Sequence, residues 1–288
     1  SSQTIYAGKT STDGGSNTNW VFDFPPNAVA IFTGTPLGNG DVQLSWNSPL
    51  DNDDNPLAAG SQYAIQWATY TAVVWSTSTI GDTSQALTYH FFISTSAVSA
   101  GTPQVVVSTG LGGNIPYYFQ IWTKDPTGIW SQGLSVQATA TPVAVLGITL
   151  TAHSYDFGSV NMTATTISTS AVTVGNVGNV TETYSLSVAT TGPSGVWGVS
   201  TSTPTTLDHF VLFGGFNSTA PSASAFVNID ALTNTPAAST GSKFAIGQNG
   251  VSTPLSSTRD LWLRLDMPPT TSTSTQQQMT VTVTATTP

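Results

Sequence analysis

Residues 116–125 read PYYFQIWTKD, and their alternation puts Tyr117, Phe119 and Ile121 on one face of an extended segment. The same period of two recurs on both sides. AVAIFTG (28–34), DVQLSWN (41–47), QYAIQWAT (62–69), TYHFFIST (88–95), PQVVVST (103–109) and LSVQATATP (134–142) are separated by Gly, Pro, Asn and Asp clusters. Short alternating runs at even spacing, with turn residues between them, predict an all-β sandwich.

Leu111 precedes Tyr117 by six residues, across the turn GGNIP. With DVQLSWNSPLDNDDN, SQYAIQWAT and YYFQIWTKDPTGIWSQG, this L-x5-Y-x-F-x-I pattern resembles fibronectin type III domains of bacterial secreted proteins. The resemblance covers residues 28–142 and implies a seven-stranded Greek-key sandwich. It also implies that Trp46 is the core tryptophan and Tyr117 the corner tyrosine whose hydroxyl bonds back to the main chain. One departure is the apolar insertion TYTAVVWSTSTIGDTSQALT (69–88), whose Trp75 has no core role in that pattern and becomes a candidate contact.

After Pro142 the strand pattern restarts. GITLTAHSYDFGSV (147–160), STSAVTVGNV (168–177), VTETYSLSV (180–188), HFVLFGGF (209–216), RDLWLRLDMP (259–268) and QQQMTVTVTAT (276–286) read as strands. SYDFGSV followed by VTVGNVGNVTETYSLSV resembles the start of bacterial immunoglobulin-like modules. Residues 214–257 are loop-rich, with two strand-like pieces, FVNIDAL and KFAIG. The expected plan is an N-terminal extended arm (1–26), a fibronectin type III-like sandwich (27–142) and an immunoglobulin-like sandwich (143–288): two Greek-key β-sandwich domains in series.

Composition narrows the function. Charged residues are 7% of the chain, against about a quarter in ordinary soluble domains. Five Lys and Arg against 14 Asp and Glu give a net charge of −9. That argues against nucleic acid, which demands cations to displace phosphate counterions, and against a basic membrane-surface helix. No run approaches the length of a membrane span. Helix formers are few, and Thr and Val dominate. There are no cysteines. No signal segment precedes Ser1, so the expectation is a secreted chain whose signal has been removed, located outside the cell or on its surface.

Chemistry-bearing motifs are sparse. DNDDN (51–55) starts like a calcium loop but lacks the glycine and distal glutamate, so it reads first as a turn. His90, His153 and His209 are far apart and show no metal-ligand spacing. His209 beside Asp208 has the residue types of a base and its orienter, without a nucleophile elbow. Glu182 is the only Glu, and Asp260, Arg264 and Asp266 read as a surface ion pair. No catalytic, cofactor or metal site is expected. Sequons stand at Asn161, Asn179 and Asn217, a number that a chain so rich in Ser and Thr reaches by chance.

The arm carries few large apolar groups: Ile5, Tyr6, Trp20, Val21, Phe22 and Phe24. Their burial does not offset the entropy of ordering two dozen residues. Main-chain bonding to a sheet edge would, and that edge belongs either to the same chain or to a neighbouring copy. The expectation is a non-enzymatic structural protein, the repeating subunit of a surface filament, sheath or layer. Its partners would be copies of itself, with glycans attached or bound as a further class. Ile5, Tyr6, Trp20, Phe22, Phe24 and Trp75 are the candidate assembly residues. The alternative is an adhesin or carbohydrate-binding module presenting a set of exposed aromatics drawn from Trp20, Trp67, Trp75, Trp122, Trp130 and Trp197.

Overall fold

A computed structural model of the chain describes residues 5–6, 12–16, 20–21, 25–51, 56–80, 89–95, 98–131, 133, 135–191, 196–203 and 206–288. The chain divides into two compact units, Ser1–Val143 and Ala144–Pro288. Among the described residues the fold is all-β, the helical content being three 3-10 turns. Among the described residues no helix is long and apolar enough to cross a membrane.

The first unit opens with two-residue strands β1 (Ile5–Tyr6) and β2 (Trp20–Val21). Seven strands follow: β3 (Phe32–Pro36), β4 (Val42–Asn47), β5 (Gln62–Ala68), β6 (Tyr89–Ser94), β7 (Pro103–Ser108), β8 (Tyr117–Lys124) and β9 (Ala138–Ala140). They form a three-stranded sheet in the order β3-β4-β7 and a four-stranded sheet in the order β6-β5-β8-β9. Every pair in the two sheets is antiparallel. Each alternating run read from the sequence supplies one of these strands.

Alternation places the core. Val42, Leu44 and Trp46 are buried along β4, while Gln43, Ser45 and Asn47 face outward. Trp46 packs edge-on against Phe32 and Tyr63, at ring-centroid distances of 6.2 and 5.0 Å. Each such buried side chain contributes about 1.5–3 kcal/mol. Tyr117 fills the corner role: its hydroxyl accepts the Gly112 N–H at 2.8 Å, with Leu111 buried beside it.

The outer face of the four-stranded sheet is buried too. The Trp122 indole N–H donates to Gln66 Oε1 at 2.6 Å, and Gln66 Nε2 donates to Thr79 Oγ1 at 3.0 Å. Thr79 belongs to the 69–88 insertion, in a 3-10 turn capped by Ser76. The insertion therefore shields the amide ladder on this face, and Trp75 beside the turn is half-buried.

The second unit holds β10 (Ile148–Leu150), β11 (Thr165–Ile167), β12 (Val172–Asn176), β13 (Thr183–Thr190), β14 (Gly198–Val199), β15 (His209–Phe216), β16 (Ala237–Ala238), β17 (Thr258–Asp266) and β18 (Met279–Thr286). The larger sheet runs β10-β12-β17-β15-β14, and β11 shares an edge of β17 with β12. The smaller sheet is β16-β13-β18. Leu186 and Val188 of β13 meet Leu212 of β15 and Leu261, Leu263 and Leu265 of β17 between the sheets.

Three expectations change here. FVNIDAL and KFAIG are not strands. They make a 3-10 turn, Asn228–Asp230, and isolated bridges Phe213↔Ala231 and Phe216↔Ala245. Asp230 holds them together, accepting the Val227 N–H through Oδ2 and the Phe244 N–H through Oδ1. The segment lays Phe226 and Ala231 over Val211, Phe213 and Trp262, a second apolar layer on the far face of the larger sheet. Secondly, the run 147–160 is a strand only at Ile148–Leu150. Tyr155 and Phe157 then pack edge-on at 4.8 Å, and Asp156 turns the chain by accepting the Gly158 N–H. Thirdly, the ion pair is not a surface one. Arg264 Nη2 meets Asp266 Oδ2 at 2.6 Å, with the two side chains 16% and 8% exposed, because that second layer also covers the guanidinium, stacked on the Phe213 ring. Asp260 takes no part in the pair and accepts from Thr173 Oγ1 at 2.7 Å.

Candidate functional site: strand edges and a lateral groove

Of the arm residues singled out, Ile5 and Tyr6 form β1 and pair in parallel with Trp20 and Val21 of β2. Among the described residues, β1 and β2 form a two-stranded sheet of their own. Trp20 is 46% exposed. Phe22 and Phe24 lie outside the described residues.

The long edge is at the other end of the chain. Among the described residues, β13 is the one strand paired with β18. On β13, Tyr184 and Val188 direct their main-chain groups to the opposite side, toward Gly250, Ser239 and Thr233. The ladder to β18 is therefore carried by Ser185, Ser187 and Ala189, opposite Thr284, Thr282 and Thr280. Because antiparallel bonding alternates, the N–H and C=O groups of Met279, Val281, Val283 and Ala285 point away from β13. Their side chains pack on the core, whereas Thr280, Thr282, Thr284 and Thr286 are exposed. From Met267 to Pro288 no residue is charged. This edge has none of the lysines or inward charges that usually blunt one.

Beside β18 the sandwich is open. A groove of about 1220 Å³ has Leu212, Leu261, Leu263 and Leu265 as its floor and Met279, Val281 and Val283 along one side. Residues 152–160 and 273–278 form its rim. Asp156 is the one acidic residue among its lining residues, His153 the one histidine, and none is Lys or Arg. The mismatch between the sheets makes the groove, since three strands, one of them two residues long, face six. The charge-free alternation of the last 22 residues was the visible signal of the edge. No local pattern signals the groove, which needs both sheets to exist.

The remaining candidates are accounted for by local structure. Asp208 accepts from the Ser272 hydroxyl and amide at 2.5 and 2.7 Å and from Thr271 Oγ1 at 2.9 Å. The Ser272 bonds chiefly hold its carboxyl below the ordinary value. His209 Nδ1 sits 2.8 Å from the Leu207 carbonyl, so no serine, histidine and aspartate relay forms at this point. Of DNDDN, residues 52–55 lie outside the described residues, and Leu50 and Pro56 bridge across its ends. Among the described residues no three His, Asp or Glu side chains converge.

Asn161 is exposed. Asn179 is half-buried, its Oδ1 accepting the Val145 N–H at 2.7 Å. Asn217 Nδ2 donates to the Thr219 carbonyl at 2.9 Å. The tryptophans are mostly engaged. Trp122 and Trp197 are buried, Trp67 stacks edge-on with Tyr117, and Trp130 lies under the Lys124 ammonium.

No family model matches the sequence, and no curated protein matches it. Among solved structures, the chain is similar to the crystal structure of chicken CNTN1 FN1–FN3 domains, at 10% identity over 92% of this chain and 64% of that one, with a TM-score of 0.29. It is also similar to the chitinase ChiA74 from Bacillus thuringiensis, at 12% identity over 90% of this chain and 29% of that one, with a TM-score of 0.27. The chain spans less than two thirds of the length of either.

Proposed function

We propose that this chain is the repeating subunit of an extracellular filament, sheath or layer, a non-enzymatic protein whose copies join by strand pairing. The observation that carries this reading is the open, uncharged edge of β18, eight residues long, with four residues aiming their main-chain groups outward. An edge of this kind on a lone soluble domain invites uncontrolled pairing and is normally blunted. It is tolerated where pairing is the task. The arm supplies the second half: an apolar segment that already takes part in strand pairing, Ile5 and Tyr6 lying opposite Trp20 and Val21. Heterologous pairing of one copy's arm with the next copy's edge, where the rotation does not close into a ring, builds an open polymer. The sandwiches then act as stiff spacers, and a hydroxyl-rich, charge-poor surface suits packing against neighbours. Negative-stain imaging of the native material tests this. Ordered filaments or sheets of constant width support the reading, and dispersed single molecules contradict it.

A further inference from the structure

We infer that Glu182 is a pH-sensitive latch, whose carboxyl group pins the first strand of the second unit when neutral and releases it when ionised. The inference stands apart from the polymer reading, because every group in it belongs to the second unit.

The argument starts from what is held. Residues 145–147 lead into β10, a three-residue strand at the edge of the larger sheet. They are seated on the turn that follows β12. Asn179 Oδ1 accepts the Val145 N–H at 2.7 Å, and the Asn179 N–H donates to the Val145 carbonyl at 3.0 Å. The Val177 N–H donates to the Gly147 carbonyl at 2.8 Å. The Gly147 N–H donates to Glu182 Oε1 at 2.6 Å, and this bond alone among them is made by a titratable side chain. The fit is close. A Cβ at Gly178 would overlap the Val145 carbonyl oxygen and lie 2.7 Å from Glu182 Oε1.

The chamber around the carboxyl gives the latch its sense. Glu182, Tyr184 and Thr253 are all fully buried. Glu182 and Tyr184, two apart along an extended backbone, share a face, and Thr253 bridges Glu182 from the adjoining segment. Glu182 Oε2 and the hydroxyls of Tyr184 and Thr253 have no hydrogen-bond partner among the described residues. A neutral carboxyl is tolerated there. A carboxylate would have one N–H for two oxygens, and an underpaired buried charge is far more costly than a neutral group.

No cation compensates. Arg259 of β17 directs its guanidinium to the Asn249 and Thr258 carbonyls, at 2.8 and 2.9 Å. Tyr184 is the other titratable group nearby, and its hydroxyl is neutral across the carboxylate range. The neighbouring segments 144–150, 172–181, 237–240, 249–257 and 279–286 contain no titratable side chain. Burial accordingly raises the Glu182 carboxyl above its ordinary value.

Ionisation therefore favours a state in which water reaches Oε2. Lifting residues 145–150 is the easiest way in, since β10 pairs with β12 over three residues whereas β13 pairs with β18 over eight. The closed latch holds its proton more tightly than the open one. Opening thus becomes more favourable as pH climbs from the ordinary 4.5 to the raised closed-state value, and levels off above it.

Hydrogen exchange read by mass spectrometry on the full chain tests this from about pH 4 to 8, with rates corrected for the intrinsic pH dependence of amide exchange. In the parent, residues 144–150 should exchange faster as pH rises, by up to about tenfold per pH unit, the slope of one released proton. Strand β15 should keep its protection. Glu182→Gln, neutral throughout, should show no such rise, and Gly178→Ala, which cannot seat the carboxyl, should exchange fast in 144–150 at every pH. The same rise in parent and Glu182→Gln would overturn the latch. So would a rise in β15 in step with 144–150, which would mark global unfolding. Should Glu182→Gln not fold, the parent decides alone: corrected exchange in 144–150 that stays flat with pH overturns the inference.

Discussion

At the scale of single residues, two buried groups set the stability of the two units. The Tyr117 hydroxyl is the acceptor for the Gly112 N–H. Tyr117→Phe leaves that donor facing a hydrocarbon edge, and should cost about 1–3 kcal/mol in urea unfolding, toward the lower end because Gly112 is half-buried. In the second unit Glu182 is fully buried. Its Oε1 accepts the Gly147 N–H at 2.6 Å, and Oε2 has no hydrogen-bond partner among the described residues. Burial raises its carboxyl above the ordinary 4.5, the Gly147 bond offsetting only part of the effect. The folded state therefore holds the proton more tightly than the unfolded one. Glu182's contribution is complete below the unfolded value and is lost as pH rises through the folded value. Tyr184 nearby, pushed up to about 12 by burial and then by the Glu182 charge, stays neutral throughout that range. Glu182→Gln is neutral at every pH, so its stability relative to the parent should rise as pH climbs from the ordinary 4.5 through the raised folded value. A difference that stays constant with pH would contradict this assignment.

At the scale of elements, the paired glycines of β15 explain how one sheet carries two apolar layers. A Cβ at Gly215 would land inside the Ile246 side chain, and one at Gly214 would come within 3.1 Å of Leu186. Gly215→Ala should therefore destabilise the second unit by about 1–3 kcal/mol, read as a lower urea midpoint. The edge strand makes the opposite prediction. Thr282→Lys with Thr284→Lys changes two exposed side chains, so the unfolding midpoint should move little while assembly measured by sedimentation falls sharply.

Legibility in the sequence divides along the same line. The seven strands of the first sandwich could be read because β4 and β8 alternate over six to eight residues around Trp46 and Tyr117. The cover on the larger sheet of the second unit could not. Its anchors Phe226 and Ala231 are spaced by a 3-10 turn, while Val227 and Ile229 between them are half exposed. No periodicity survives there. Strands β11, β14 and β16, two or three residues long, exist only through their partners. The open edge was legible as a charge-free alternating tail, whereas the groove is a property of two sheets of unequal width.

At the scale of the whole molecule, the proposed assembly draws on two elements of the sequence, the arm strands Ile5–Tyr6 and Trp20–Val21 and the uncharged edge of Met279–Thr286. Its cohesion would come from main-chain bonds and apolar burial rather than from charge, consistent with only five cationic side chains in 288 residues. Removing residues 1–24 takes away the arm and none of the core residues described in either sandwich. The most direct measurement is sedimentation paired with electron microscopy of the full chain and of the chain lacking residues 1–24, at equal concentration. The full chain should form pelletable filaments, and the shortened chain should stay monomeric with unchanged β-sheet circular dichroism. Polymers of the same order from both chains would contradict the account.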